Sequence, residues 1–153
     1  MSRVQLALRV PDLAASIAFY TKLFGTEPAK VRDGYANFAV VEPPLKLVLI
    51  EGAAGEETRM DHLGVEVETA EAVHAATVRL AEAGLATTEE NDTTCCYALQ
   101  DKVWVHGPGQ EPWEVYVVKA DSDTLTRQEG STCCTGPTED TPEEPTTCAA
   151  RCC

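Results

Sequence analysis

The fold of this chain is decided by two stretches of sequence, Val4-Gln5-Leu6-Ala7-Leu8-Arg9-Val10 and Asp61-His62-Leu63-Gly64-Val65-Glu66-Val67. In both stretches large apolar residues alternate with polar or small ones, which is typical of a strand with one buried face. Gln5 and His62 occupy matching positions, 57 residues apart, and each is followed two residues later by a small residue, Ala7 or Gly64. The chain therefore contains an internal repeat, and each copy begins with a strand.

Each leading strand is followed by the signals of one helix and then of further strands. The predicted helices span 13–24, capped by Asp12 and ended by Gly25, and 69–83, ended by Gly84. The predicted strands lie near 29–32, 35–41 and 45–51 in the first half, and near 61–68, 87–90, 97–99, 103–106 and 113–118 in the second. This order predicts an α+β fold of two βαβββ modules, at about 1–53 and 59–118.

The composition changes after Val118. In residues 119–153 Leu125 is the only large apolar side chain, and Thr, Pro, acidic residues and Cys dominate. Such a segment buries too little apolar area to offset the entropy of ordering it, so a disordered acidic tail is predicted. The tail carries Cys133, Cys134, Cys148, Cys152 and Cys153. Their role in collecting or delivering thiophilic ions is left open.

The net charge of −13 excludes several classes of partner. Neither nucleic acid nor an anionic membrane is expected, because both require a basic surface. No signal peptide or long apolar run is evident, so a cytoplasmic protein with reduced thiols is expected. The sequence leaves open whether the protein is a monomer or a homodimer.

Three polar residues at equivalent strand positions form a candidate metal site. Gln5 and His62 match in the leading strands, and Glu114 lies within the otherwise apolar last strand, opposite Leu47 in the repeat. One nitrogen and two oxygen donors suit Fe(II), Mn(II) or a similar divalent ion. Taken singly, His62 could be a structural histidine, Gln5 a surface amide, and Glu114 the partner of a lysine (Lys102 or Lys46).

The pattern resembles the vicinal oxygen chelate superfamily, which includes glyoxalase I and extradiol dioxygenases. The segments that carry the resemblance are 13–24 (LAASIAFYTKLF), 62–64 (HLG) and 107–114 (GPGQEPWE). The resemblance implies a half-barrel with a cleft and assigns the metal ligands, which are also the catalytic groups, to Gln5, His62 and Glu114. A fourth ligand, as in glyoxalase I, would come from the position of Leu47, and this makes a glyoxalase unlikely because leucine has no donor atom.

A closer resemblance is to the ArsI/CadI-like group of carbon–arsenic lyases and cadmium-induced proteins. It rests on segments 34–39 (GYANFA), 43–49 (PPLKLVL), 61–67 (DHLGVEV) and, most specifically, 93–105 (TTCCYALQDKVWV). The resemblance implies cleavage of trivalent organoarsenicals such as methylarsenite, with Fe(II) as the metal and O₂ as co-substrate. Ni, Co, Mn or Zn are expected to be able to replace Fe(II). Gln5 departs from the dioxygenases, which have a histidine there.

Cys95 and Cys96 are the predicted substrate-binding residues. Two thiolates can displace the two hydroxyls of methylarsenite, since soft sulfur favours a soft centre. On a regular strand the two side chains would point to opposite faces, so residues 91–96 are predicted to be a loop or a distorted strand end. The hypothesis is that this segment captures arsenic and then closes over the metal. The alternative is that one cysteine is merely a small buried hydrophobe.

Other residues are weaker candidates for the cavity, namely Tyr97, Lys102, His106 and Tyr116. His74 is predicted to face solvent. A protein that sequesters Cd(II) or As(III) without chemistry remains an alternative to the enzyme. A thiol transferase that acts on phosphonates is less favoured, because the sequence shows no evident basic cluster near the ligands.

Overall fold

The computed structural model describes residues 1–123, so the predicted tail lies almost wholly outside the described residues. Two helices and the strands between them follow the predicted order. The elements are β1 (Arg3–Val10), α1 (Leu13–Phe24), β2 (Lys30–Arg32), β3 (Tyr35–Val40), β4 (Leu45–Glu51), β5 (Arg59–Glu66), α2 (Ala70–Glu82), β6 (Thr87–Cys95), β7 (Ala98–His106) and β8 (Pro112–Asp121).

The predicted helix ends are confirmed. Asp12 caps α1 by accepting a hydrogen bond from the Ala15 backbone N–H at 2.9 Å, and Thr69 caps α2 through Ala72 at 3.2 Å. Gly25 follows α1 with φ 62°, a left-handed conformation that glycine adopts without steric cost. Neither helix, nor any other in residues 1–123, is long and apolar enough to cross a membrane.

Within residues 1–123 the strands form one sheet in the order β2-β3-β4-β1-β5-β8-β7-β6. The two leading strands, β1 and β5, are antiparallel neighbours at its centre. Each is flanked on its other side by the last strand of its own module, β4 or β8, in a parallel arrangement. The α+β fold of two βαβββ modules is therefore confirmed.

The helices cover one face of the sheet. α1 packs on a cluster that includes Phe38, Leu47 and Leu49, and α2 packs on Val103 and Val117. On the opposite face the sheet curls, so that β3 approaches the turn after β6. The ring centroids of Tyr35 and Tyr97 are 5.5 Å apart. The result is a half-barrel with a cleft on its concave face.

Several strand boundaries differ from the prediction. The segments predicted as separate strands near 97–99 and 103–106 are one strand, β7, which pairs with β6 on one side and with β8 on the other. The polar run Gln100-Asp101-Lys102 in its middle concealed this continuity. β8 extends past the predicted end of the domain at Val118, because Ala120 and Asp121 pair with the start of β7.

Candidate active site

Three adjacent strands bring the predicted metal ligands together on the concave face. In the sheet register Gln5 lies opposite Gly64, Gly64 lies opposite Glu114, and His62 lies opposite Ala7. Gly64 thus separates Gln5 from Glu114. A Cβ at Gly64 would lie 3.1 Å from Glu114 Cγ and 3.3 Å from Gln5 Cβ, so only glycine leaves both side chains their present room.

The polar head groups of these residues lie within hydrogen-bonding distance of one another. Gln5 Nε2 is 2.7 Å from Glu114 Oε1 and 3.0 Å from His62 Nε2, and His62 Nε2 is 3.4 Å from Glu114 Oε1. The three head groups therefore converge closely enough for one divalent ion to contact all of them, provided that the Gln5 amide presents its oxygen.

The donor set depends on the amide. In residues 1–123 no three His, Cys, Asp or Glu side chains form a group that could hold a metal ion. His62 supplies an imidazole nitrogen and Glu114 a carboxylate oxygen, so the Gln5 amide oxygen is needed as the third donor. Such a mixed set suits Fe(II), Mn(II) or another borderline divalent ion.

Asp61 orients the His62 ring. Asp61 Oδ1 lies 2.8 Å from His62 Nδ1, and Asp61 Oδ2 accepts a hydrogen bond from Arg9 Nε at 2.6 Å. The carboxylate keeps the proton on Nδ1 and directs the Nε2 lone pair to the centre of the site. This role could not be predicted from the sequence, because neighbouring side chains on a regular strand point to opposite faces. The pairing of β1 with β5 shifts register between Ala7 and Leu8, opposite Asp61, and this irregularity lets the two side chains meet.

Lys102 is the cationic partner of Glu114. Its ammonium group donates to Glu114 Oε2 at 2.7 Å, and both side chains are almost completely buried. Burial alone would raise the pKa of Glu114, but Lys102 and His62 hold that pKa well below its usual range. Burial would likewise lower the pKa of Lys102, but Glu114 and, after it, Cys95 and Cys96 raise it.

The same contacts act on His62. Burial lowers its pKa, but hydrogen bonds to Asp61 and Glu114 and the charges of both carboxylates raise it to about 9. A metal at Nε2 must therefore compete with a proton. Of the two lysines that the sequence suggested as partners of Glu114, Lys46 instead contacts Glu66 at 2.8 Å.

The two cysteines lie where β6 turns into β7. Cys95 ends β6, and Cys96 and Tyr97 have φ values of 52° and 60°, which is typical of a tight two-residue hairpin turn. The turn brings the two Sγ atoms to 3.4 Å, without a disulfide. The predicted distorted strand end is confirmed at Cys95-Cys96, but residues 91–95 are strand rather than loop, with a bulge between Glu90 and Thr93.

The three predicted metal ligands and the two cysteines line the same narrow cavity. The lining residues are Gln5, Tyr35, Lys46, Val48, His62, Cys95, Cys96, Gln100, Lys102, Trp104 and Glu114. The contribution of β3, β4 and β7 could not be foreseen from the sequence, because it depends on the curl of the sheet. Two lysines, Lys46 and Lys102, also line the cavity, but each is paired with a glutamate and their charges are therefore balanced.

Of the weaker candidates, only Lys102 lines the cavity. Tyr116 is fully buried behind Gln5, and burial followed by the nearby carboxylates of Glu114 and Glu66 raises its pKa well above the usual value. Tyr97 is buried and donates to the Asp33 carbonyl at 3.0 Å. His106 and His74 are exposed, as predicted for His74.

The predicted counterpart of Glu114 in the first module is wrong by one residue. Gly64 pairs with Glu114, and the equivalent residue Ala7 pairs with Val48 rather than with Leu47. Leu47 packs on the helix side of the sheet. A shift of one residue moves a side chain to the other face of a sheet, which is why the sequence comparison failed here. Val48 also lacks a donor atom, so this position supplies no fourth ligand.

This fold and this arrangement of side chains define a class of protein. The chain belongs to the Glyoxalase/Bleomycin resistance protein/Dioxygenase superfamily, whose model matches residues 3–115. Among solved structures the Mn(II)-bound glyoxalase from Novosphingobium aromaticivorans superposes with a TM-score of 0.56 and 24% identity, over 85% of this chain and 45% of that one. An extradiol ring-cleaving dioxygenase from B. fuscum superposes with a TM-score of 0.55 and 23% identity, over 83% of this chain and 34% of that one.

Relatives with higher sequence identity have names that describe a specific activity or response. The chain is 74% identical to the trivalent organoarsenical cleaving enzyme of Thermomonospora curvata, over 88% of this chain and 89% of that protein. It is 57% identical to the cadmium-induced protein CadI of Mycobacterium tuberculosis, over 89% and 95%. It is 40% identical to the trivalent organoarsenical cleaving enzyme of Bacillus sp. strain MD1, over 100% and 91%.

Proposed function

We propose that this protein is a lyase that cleaves the carbon–arsenic bond of trivalent organoarsenicals such as methylarsenite, releasing inorganic arsenite, and that it uses Fe(II) and O₂. The observation that carries the proposal is that a thiol pair and three side chains able to ligate a metal line the same cavity. The two relatives named trivalent organoarsenical cleaving enzymes support the same activity. Such an activity suits organoarsenical detoxification in the cytoplasm, where thiols stay reduced.

Cys95 and Cys96 bind the arsenic in this proposal. A trivalent arsenical with one organic group exchanges its two hydroxyls for two thiol groups: two As–O bonds break, two As–S bonds form, and the hydroxyls leave with the thiol protons as two water molecules. Because the sulfur atoms are only 3.4 Å apart, one arsenic atom can bridge them without a large movement of the turn. Whether residues 91–96 move between capture and cleavage stays a hypothesis.

Gln5, His62 and Glu114 hold the metal, and Asp61 keeps the His62 ring in the ligating orientation. Fe(II), when bound, supplies the redox chemistry that activates O₂, and Ni, Co, Mn or Zn can occupy the same donors. Lys102 places a buried positive charge beside Glu114 and close enough to the cysteines to interact with their charge.

The test is anaerobic reconstitution with Fe(II), addition of methylarsenite and then of air, with release of inorganic arsenite as the readout. We expect release that requires both Fe(II) and O₂ and that is lost in His62→Ala and in Cys96→Ser. His74→Ala, at an exposed position of α2, and Cys148→Ser, in the segment after residue 123, are the matched controls. Release at the wild-type rate from Cys96→Ser would refute the role of the thiol pair.

A second function is favoured by a different observation. Relatives 57% identical to the chain are named cadmium-induced proteins, and adjacent thiols also suit soft ions such as Cd(II) and As(III). A protein that only sequesters these ions has no need of Gln5, His62 and Glu114. Tight arsenic binding without arsenite release, unchanged in His62→Ala, would favour sequestration over the lyase.

A further inference from the structure

The side chain of Gln5 is held from both ends. Its Nε2 faces Glu114 Oε1 and His62 Nε2, at 2.7 and 3.0 Å, and its Oε1 accepts a hydrogen bond from the buried hydroxyl of Tyr116. An amide oxygen is a metal ligand, whereas an amide nitrogen has its lone pair delocalised and is only a donor. Gln5 can therefore ligate a metal only after a half-turn of the amide that exchanges its nitrogen and oxygen.

The surroundings of Tyr116 favour that half-turn. The Tyr116 hydroxyl also lies 2.9 Å from Glu66 Oε2. Glu66 contacts two cations, Arg3 at 2.8 Å and Lys46 at 2.8 Å, so its carboxylate carries a charge and can only accept hydrogen bonds. Tyr116 has a single proton. When that proton is donated to Glu66, the Tyr116 oxygen can only accept from Gln5.

Two groups thus compete for the orientation of one amide. Glu114 favours the amide nitrogen on the cavity side, because its oxygen needs a donor. Tyr116 and Glu66 favour the amide nitrogen on their own side. In that orientation the Gln5 amide donates to the Tyr116 oxygen and the Tyr116 hydroxyl donates to Glu66, so each of the two hydrogen bonds has one donor and one acceptor. A cation between Gln5, His62 and Glu114 removes the demand of Glu114 for a donor, and then both sides favour the amide oxygen facing the cation.

We infer that Tyr116, held by Glu66, is a positioning residue that presents the Gln5 amide oxygen to the metal. The inference rests on the proposed function, since it takes Gln5 as a ligand. In this arrangement Gln5 is the ligand, Tyr116 is hydrogen-bonded to Gln5, and Glu66 is hydrogen-bonded to Tyr116. Neither Tyr116 nor Glu66 would contact the metal itself. Outer partners of metal ligands commonly contribute about 10- to 100-fold in metal affinity.

The test compares the Mn(II) dissociation constants of purified variants, measured by competition with a chelator under nitrogen. Tyr116→Phe removes the hydroxyl and should weaken Mn(II) binding about 10- to 100-fold. Glu66→Gln, whose amide can donate to Tyr116, should change affinity in the same direction. Tyr20→Phe, which alters a half-buried tyrosine on the helix side of the sheet, should bind as wild type.

Combining Tyr116→Phe with Gln5→Glu distinguishes an effect on the orientation of the Gln5 amide from a general loss of structure. In Gln5→Glu both oxygens of the carboxylate can ligate, so the side chain has no wrong orientation to correct. Tyr116→Phe should therefore cost at most about 3-fold in the Gln5→Glu background, compared with about 10-fold or more in the native one. An equal loss in both backgrounds would show that Tyr116 acts only on the fold and would overturn the inference.

The inference and the proposed function fail differently. If Gln5→Ala weakens Mn(II) binding and both Tyr116→Phe and Glu66→Gln bind as wild type, the inference is overturned while the metal site stands. If Gln5→Ala itself binds Mn(II) as tightly as wild type, Gln5 is not a ligand, and both fall together.

Discussion

Gly64→Ala tests whether the side chains around this glycine work as one site. The added Cβ would lie 3.1 Å from Glu114 Cγ and 3.3 Å from Gln5 Cβ. Carbon atoms in ordinary contact are about 3.5–4.0 Å apart, so both side chains must shift by a few tenths of an ångström. Both displaced side chains are proposed ligands, and the combined shift approaches the roughly 0.5 Å within which such geometry must be held, so we expect metal affinity to fall about 10-fold.

The loss of stability in this variant should be modest. Gly64 does not have a positive φ, so its backbone accepts an L side chain. Overpacking costs about 1–3 kcal/mol, and the reduced freedom of the unfolded chain offsets about 0.4–1 kcal/mol of that. We therefore expect the free energy of unfolding without metal to fall by less than about 3 kcal/mol.

Tryptophan fluorescence provides the assay for Gly64→Ala, because the Trp104 and His62 ring centroids are 5.6 Å apart. Titration with Co(II) or Mn(II) would give dissociation constants for Gly64→Ala and for Gly52→Ala. At Gly52 an added Cβ meets its nearest atom at 3.6 Å, an ordinary contact, so this variant is the matched control. Equal metal affinity in the two variants and in the wild type would refute the reasoning.

Further predictions follow from the charges around the ligands. Since the pKa of His62 is raised to about 9, metal binding below that pH displaces a proton, and the Mn(II) dissociation constant should fall roughly 10-fold per pH unit from about pH 6 to about pH 8. A pH-independent constant would contradict this. Asp61→Asn should weaken Mn(II) binding about 10- to 100-fold, measured by chelator competition, because the ring loses its orienting carboxylate. Lys102→Met should lower the free energy of unfolding without metal by about 3–5 kcal/mol, since Glu114 stays buried without its cation. Added Mn(II) should then raise the melting temperature of Lys102→Met more than that of the wild type, and an equal rise would count against the pairing.

The two modules diverge at the position that matters most for metal binding. Glu114 in β8 has Val48 as its counterpart in β4, and the proposed ligands on the leading strands are Gln5 in the first module and His62 in the second. The two modules are therefore similar in backbone but place a carboxylate on only one side of the proposed metal site. Val48 and the thiol pair line the cavity as well, and a substrate could approach the proposed site from there.

The sequence by itself determined the repeat, the order of the elements and the matching of Gln5 with His62. These follow from local information, namely alternation along a strand, helix capping and glycine at helix ends, which any short window of the chain contains. Glu114 was also identifiable, because an acid in an apolar strand needs a partner. The sequence could not show whether Lys102 or Lys46 pairs with Glu114, because that choice is set by which strands are neighbours in the sheet.

Only the tertiary structure decided which groups meet. The register of β4 against β1 put Val48 rather than Leu47 on the cavity face, and the irregularity opposite Asp61 turned that carboxylate toward His62. The curl that joins Tyr35 to Tyr97 brought the thiols to the cavity that holds the ligands. Register and curvature arise from pairing between segments far apart in the chain, and a one-residue change in register reverses the face of every side chain, so no local pattern can fix them.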